Sequence, residues 1–390
     1  MDYFENQKLL KSCYDFHSPD ISIPGSSTRI MNCNFQSVIR PDGNHDISDN
    51  ISVAGQPDLL ARSYEGNFNF TYPVFMPSGV QKSTGAIVML HGLNERNWLK
   101  YLYWAQYLSE NTGKAVILFP MAFHVNRSPG FWSDPRAMQD AYQMRVNQSP
   151  ENAVATPVNA ALSTRLDTHP EWFCTSGLQS CYDLICLNRM IRSGKHELFS
   201  QGASVDFFAY SVGAFLLEVL LIANPEDLFL DSKSFLFLGG SSFEQMQGIS
   251  RYIMDTKAFA RLEDAFILHD PSSIRNKINI EHLNTFNVLW SAFMAMLRLD
   301  KHENFREKAF YRLRNQISAV GLALDQVIPA KSILRTLWGS ENRNKIPMSI
   351  MDFPYPYSHE NPFPTGNQNL RPQVNEAFHQ VFTGAVKFLG

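Results

Sequence analysis

Apolar positions along this chain alternate between two patterns. Short, mostly apolar runs stand at residues 86–90, 115–119, 205–210, 234–238, 317–324 and 346–352. Longer stretches between them place apolar residues every three or four positions, at 98–111, 177–198 and 373–388. Runs of about four to eight apolar residues bounded by turn residues suit strands buried on both faces, and the 3.6-residue period suits helices. Strand, helix and strand in succession predict right-handed crossovers and a mostly parallel sheet flanked by helices. The stretch after 211 is apolar nearly throughout, with the single charge Glu218, so a helix there is expected to be buried nearly all round.

Four regions break the rhythm. Residues 1 to about 60 give no clear reading, and 41–50 is a loop by composition. Residues 67–75 alternate polar and aromatic side chains, which predicts a half-buried antiparallel strand. Residues 120–176 are rich in Pro, Asn, Ser and Thr, with helical fragments expected near 135–146 and 159–164, and read as a wall over the strand ends. Residues 243–316 read as helices throughout. The expected organisation is an N-terminal extension with the first strands (1–64), an α/β core (65–242), a helical cap (243–316) inserted before the next strand, and the rest of the core (317–390).

Composition adds mainly exclusions. The chain has 390 residues, 44% hydrophobic and 18% charged, an ordinary balance for a large α/β domain with insertions. Lys and Arg total 34 against 37 Asp and Glu, a formal net charge of −3, and no basic stretch points to nucleic acid. The acidic start Met1-Asp2-Tyr3-Phe4-Glu5 lacks the form of a signal peptide, and Glu218 interrupts the nearest approach to a membrane span. Cys13, Cys33, Cys174, Cys181 and Cys186 are odd in number and follow no metal-ligand spacing, so free thiols and a cytoplasmic setting are expected. No metal or cofactor is expected, and the sequence sets no oligomeric state.

The candidate chemistry centres on Ala209-Tyr210-Ser211-Val212-Gly213, where an apolar run turns into the apolar helix. A sharp strand-to-helix turn pushes its central side chain out of the backbone, and small residues two before and two after keep the turn from clashing. The first of these is Ala209 where the G-x-S-x-G pattern has glycine. A serine hydroxyl needs a base, and the base needs an orienting carboxylate. Asp325 follows the 317–324 strand, within Asp325-Gln326-Val327-Ile328-Pro329, and His359 follows the last strand. Rivals exist. Glu244 follows the preceding strand, and His379 lies in the last helix beside Phe378.

With serine, acid and histidine in that chain order, after successive strands, and His91-Gly92 at the end of the 86–90 strand, the chain resembles the α/β-hydrolase superfamily over about 65–240 and 317–390. The resemblance implies a serine hydrolase acting on a small acyl substrate, most simply a carboxylic ester, with Ser211 as nucleophile, His359 as base and Asp325 as orienting acid. It also implies an oxyanion hole from the backbone N–H groups of Leu93 and Val212. His91 is expected to brace that loop. Glu95 and Arg96 are candidates for contact with substrate, but they read first as solvated loop charges, as does Glu360. Thioesterase, peptidase and acyltransferase chemistry use the same machinery, and a non-catalytic binding protein on the same fold is the competing class.

Overall fold

A computed structural model of the protein describes residues 2–37, 39, 64–149, 152–276, 278 and 283–390. The 41–50 loop lies outside the described residues. Nine strands form one sheet: β1 (Asp20–Ser22), β2 (Thr28–Gln36), β3 (Asn69–Pro77), β4 (Ser83–Leu90), β5 (Ala115–Leu118), β6 (Phe199–Tyr210), β7 (Ser234–Phe237), β8 (Ile317–Leu322) and β9 (Met348–Met351). Their order across the sheet is β1-β2-β3-β5-β4-β6-β7-β8-β9. From β5 to β9 every neighbour is parallel, while β1, β2 and β3 add antiparallel partners at one side.

Burial on both faces explains the mostly apolar runs of the central strands. In β4, Ala86, Val88 and Leu90 enter one core while Ile87 and Met89 enter the other, and β6 divides Val205, Phe207 and Ala209 from Phe208 and Tyr210 in the same way. One face is covered by α1 (Tyr3–Cys13), α2 (Leu102–Thr112) and, from the far end of the chain, α12 (Arg371–Leu389). Tyr103 of α2 stacks on Phe378 of α12, with ring centroids 5.1 Å apart. Between β5 and β6 come α3 (Gln139–Gln148), α4 (Ala160–Thr168) and α5 (Glu171–Arg192), and α6 (Val212–Ala223) follows β6. Between β7 and β8 lie α7 (Thr256–Glu263), α8 (Ser272–Arg275), α9 (Leu283–Leu297) and α10 (Glu303–Leu313), and α11 (Ala330–Trp338) precedes β9. Residues of α5, α6, α9, α10 and α11 share the core of the second face. This strand order, with a helical insertion before the acid-bearing loop, is the α/β-hydrolase architecture.

Three local expectations need correction. β3 is not half-buried. It is covered from Tyr72 to Met76, because β2 and β5 pair on its two sides and both cores reach it. α5 starts at Glu171, not near 177, and Gly177 sits inside the helix where α6 packs against it. The 243–316 segment is not helical throughout. Residues 246–255 run as an irregular crossing with one parallel bridge, Ile249 to Met254. Side chains of the preceding insertion hold that crossing: Thr156 Oγ1 donates to Arg251 O at 2.7 Å and Asn159 Nδ2 to Ser250 O at 2.9 Å. These partners are distant in sequence, so no local periodicity records them.

Glu218 is buried on α6 as expected, but both its carboxylate oxygens lack a hydrogen-bond partner among the described residues. Burial pushes its carboxyl well above the usual carboxylate range. The folded protein therefore keeps a proton there that the unfolded chain releases above its ordinary carboxylate pKa, so this contribution to stability is full at acid pH and is lost as pH rises. Glu218→Met is expected to raise unfolding stability at pH 7 by about 1–3 kcal/mol, the usual penalty of a buried unsatisfied polar group, and to flatten the pH dependence of Tm above pH ~4.5. Thermal melts of both proteins from pH 4 to 8 check this. Parallel Tm profiles would contradict it.

Candidate active site

The site forms at the C-terminal ends of β4, β6, β8 and β9. Ser211 stands between β6 and α6 at φ 59°, ψ −126°, a left-handed conformation that a side chain adopts only under strain. The turn is pinned by its N–H, which donates to Phe237 O at 3.2 Å. Gly213 is required by close approach: a Cβ there would sit 2.7 Å from His91 O. Gly239 does the same from β7, where a Cβ would meet Ser211 O at 2.8 Å and the Ala214 Cβ at 2.4 Å. Ala209 is fully buried, so its extra methyl is accommodated.

Ser211 Oγ lies 2.7 Å from His359 Nε2, and His359 Nδ1 lies 2.7 Å from Asp325 Oδ2. The imidazole and carboxylate are almost completely buried, at 2% and 1% side-chain exposure. A carboxylate only accepts, so Nδ1 carries the proton and Nε2 is left to accept from the serine hydroxyl. The second oxygen of Asp325 accepts from Val327 N at 2.9 Å and Ile328 N at 3.0 Å. Asp325 is thus both a turn-capping residue and the partner of His359. Glu244 is elsewhere: its Oε1 accepts from Leu299 N at 2.7 Å, tying the segment after α9. His379 sits on α12 against Tyr107, with ring centroids 5.7 Å apart, and does not join the cluster.

The loop after β4 faces Ser211 from the other side. The N–H groups of Leu93 and Val212 donate to no acceptor among the described residues, and Leu93 and Val212 line the same cavity as Ser211. His91 braces this loop: Nδ1 donates to Gly92 O at 2.8 Å and Nε2 accepts from Met121 N at 3.0 Å. Burial holds its pKa down at about 4, so it is neutral and unsuited to carry a proton at neutral pH.

Sequence reading missed the supports. Tyr101 Oη accepts from Gly92 N at 3.1 Å and donates to Glu95 at 2.7 Å. Glu95 also pairs with Lys100, whose ammonium lies 4.6 Å from the Tyr210 ring centre and donates to Glu360 O at 3.2 Å. Tyr210 stacks against His359 at 5.6 Å and donates its hydroxyl to His359 O. One polar network therefore joins the loop after β4 to the histidine loop. Glu95 is not a free solvated charge, nor is Glu360, which accepts from Ser250. Arg96 is half-buried, and burial lowers its pKa. Tyr210 lay within the quoted motif, but nothing in the pattern marked its hydroxyl. Lys100 and Tyr101 precede α2 with no periodic signal.

Two apolar cavities meet at Leu93, Phe173 and Val212. One includes Ser211 and lies under Phe243, Met246 and Phe259. The other runs between α5, α6 and α9 past Phe215, Trp290 and Phe293. The 120–176 stretch supplies only part of this wall, through Met121, Ala122, His124 and the first turns of α5.

A buried serine–histidine–aspartate relay on this architecture defines a serine hydrolase of the α/β-hydrolase class. The chain belongs to a family of unknown function, DUF6051, whose model matches residues 1–390. No curated protein matches it. Among solved structures it is similar to carboxyl esterase 2 from the mycorrhizal fungus Tuber melanosporum, at 11% identity, with 100% of this chain and 98% of that one covered and a TM-score of 0.47. A cold-adapted esterase from an Arctic intertidal metagenomic library is similar at 10% identity over 96% and 98% of the two chains, with a TM-score of 0.40. A thermostable esterase from Pseudomonas putida ECU1011 is similar at 10% identity over 99% and 90%, with a TM-score of 0.40. Scores this low leave the fold assignment resting on the strand order and the relay.

Proposed function

We propose that the protein is a serine esterase that hydrolyses an ester with an apolar acyl part. Ser211 Oγ attacks the carbonyl as His359 Nε2 takes its proton. The backbone N–H groups of Leu93 and Val212 receive the developing oxyanion. The imidazolium, steadied by Asp325, then protonates the leaving alcohol. Neutral His359 next takes a proton from water, which attacks the acyl carbonyl and frees Ser211. The observation that carries this reading is the unbroken pair of 2.7 Å contacts from Asp325 through His359 to Ser211.

The apolar lining of the cavity between α5, α6 and α9, beside Leu93 and Val212, favours an acyl chain there, with the alcohol toward the cavity under Phe243. The proposal includes the division into a core of residues 65–242 and 317–390 and a cap of 243–316 that closes over these cavities. It also includes a cytoplasmic setting, for which five unpaired cysteines are the support. Among the described residues no helix is long and apolar enough to cross a membrane.

The test is a p-nitrophenyl ester series of graded chain length, paired with labelling by a fluorophosphonate. Each buried CH₂ contributes about 0.8 kcal/mol. The two extra methylenes of butanoate over acetate are therefore expected to raise kcat/KM about tenfold. A preference for acetate would place the chain outside the cavity. Failure to label the serine would favour a binding protein instead.

A further inference from the structure

A third, small cavity with a mixed polar and apolar lining stands beside the loop that follows Leu93. Its lining includes Asn94, Arg96, His124, Ser128, Ser133 and Arg165. Arg165, on α4, is 4% exposed and makes no ion pair or side-chain hydrogen bond among the described residues. Three aromatic rings surround its guanidinium instead, with the ring centres of Trp132, Phe123 and Trp172 at 4.3, 4.7 and 5.0 Å. Ring contacts of this kind engage the charge but supply no acceptor for the planar fork of N–H donors. Arg127 and Arg145, which are also buried, each have an aspartate: Asp183 and Asp255. Arg306, the other buried arginine, donates to four backbone carbonyls, and Arg165 alone of these four has neither kind of acceptor among the described residues.

The neighbouring charges do not neutralise it. Glu95 also lines the cavity, but it is engaged by Lys100 and Tyr101, and Arg96 adds a further cation, with its Nη1 directed to Ser133 O at 3.5 Å. Two cations, Arg165 and Arg96, thus line the cavity beside one carboxylate, which Lys100 already pairs from outside it. A desolvated cation is costly unless paired, and its fork geometry matches a carboxylate. The cavity shares Asn94, Glu95 and Arg96 with an open groove that runs to Ser358 and Glu360. His124 lines both this cavity and the apolar one between α5, α6 and α9.

We propose that the cavity is a binding site for a small carboxylate, held by the Arg165 fork with Arg96 beside it. The carboxylate is either the acid end of the substrate or a separate small molecule. The substrate alternative rests on the esterase reading above, whereas binding itself does not.

Calorimetric titration of the full chain with acetate and with succinate, at fixed ionic strength, tests binding. Arg165→Met keeps apolar bulk in the aromatic surround and removes the fork. Its affinity for these anions is expected to fall at least about tenfold, while its Tm without anion is equal or higher. A kinetic comparison separates the sources. If the carboxylate is part of the substrate, kcat/KM for monoethyl adipate falls about tenfold in Arg165→Met, while that for ethyl hexanoate changes less than about twofold. If it is a separate molecule, the titration distinguishes the two proteins and the two esters respond alike. Anion binding in a protein that cleaves neither ester keeps the site and sinks the hydrolase reading. No anion binding to wild type together with no selective effect on monoethyl adipate overturns the site. So does a variant that melts earlier and loses both esters equally, because Arg165 would then serve the fold alone. Should Arg165→Met not fold, Arg165→Lys, which keeps the charge and loses the fork, is compared in the same way.

Discussion

Ser211→Ala is expected to remove ester hydrolysis almost completely, with a loss on the order of 10⁶ in kcat, while the protein stays folded. The loss is large because nucleophile and base act as one unit: with no hydroxyl to deprotonate, His359 has nothing to activate. The fold survives because the turn is held by groups the substitution leaves in place. These are the Ser211 N–H to Phe237 O contact and the tight packing of Gly213 and Gly239 around the backbone. Alanine must still adopt the left-handed conformation, which the surroundings already impose on serine. Steady-state hydrolysis of a p-nitrophenyl ester and a thermal melt of both proteins are the measurements. A variant that retains more than a few per cent of the activity would mean that the attacking group is elsewhere.

The second large effect belongs to the acid. Asp325→Asn is expected to lower kcat by about 10²–10⁴, with KM little changed. An amide can present its NH₂ to Nδ1, which moves the imidazole proton to Nε2, the position that must be free to accept from Ser211. The Val327 and Ile328 N–H bonds need only an oxygen, so the loop itself is expected to hold. Glu244→Gln is the control, with a loss under about tenfold, since Glu244 binds Leu299 N and lies 4.0 Å from Arg298. A larger loss for Glu244→Gln than for Asp325→Asn would reverse the assignment of the acid.

Both predictions use residues that were legible in the sequence, and the reason is geometric. A loop that leaves a buried strand must place its first residues at the end of the sheet. Asp325 comes three residues after Leu322, the end of β8, and is brought beside His359 by the parallel pairing of β8 with β9. The supporting groups were not legible in the same way. Gln7, near the N-terminus, donates to Lys100 O, and the Lys100 ammonium reaches the histidine loop 260 positions away. Such contacts are made by the ends of long side chains, and the period of a helix or strand does not encode them.

By itself, then, the sequence determined the layered sheet and the order of its chemistry. The mostly apolar runs of the central strands are stable when buried on both faces, whereas β9 at the sheet edge stays partly exposed, and the elbow residues are small because backbone passes close to backbone there. The tertiary structure alone set Asp325 beside His359 and Glu244 beside Leu299. It also turned the Glu95 charge inward, began α5 six residues early and left Arg165 without a carboxylate among the described residues. Each of these depends on which distant segment fills the space beside a residue. Burial and pairing of charge are properties of that shared space and are absent from the local pattern.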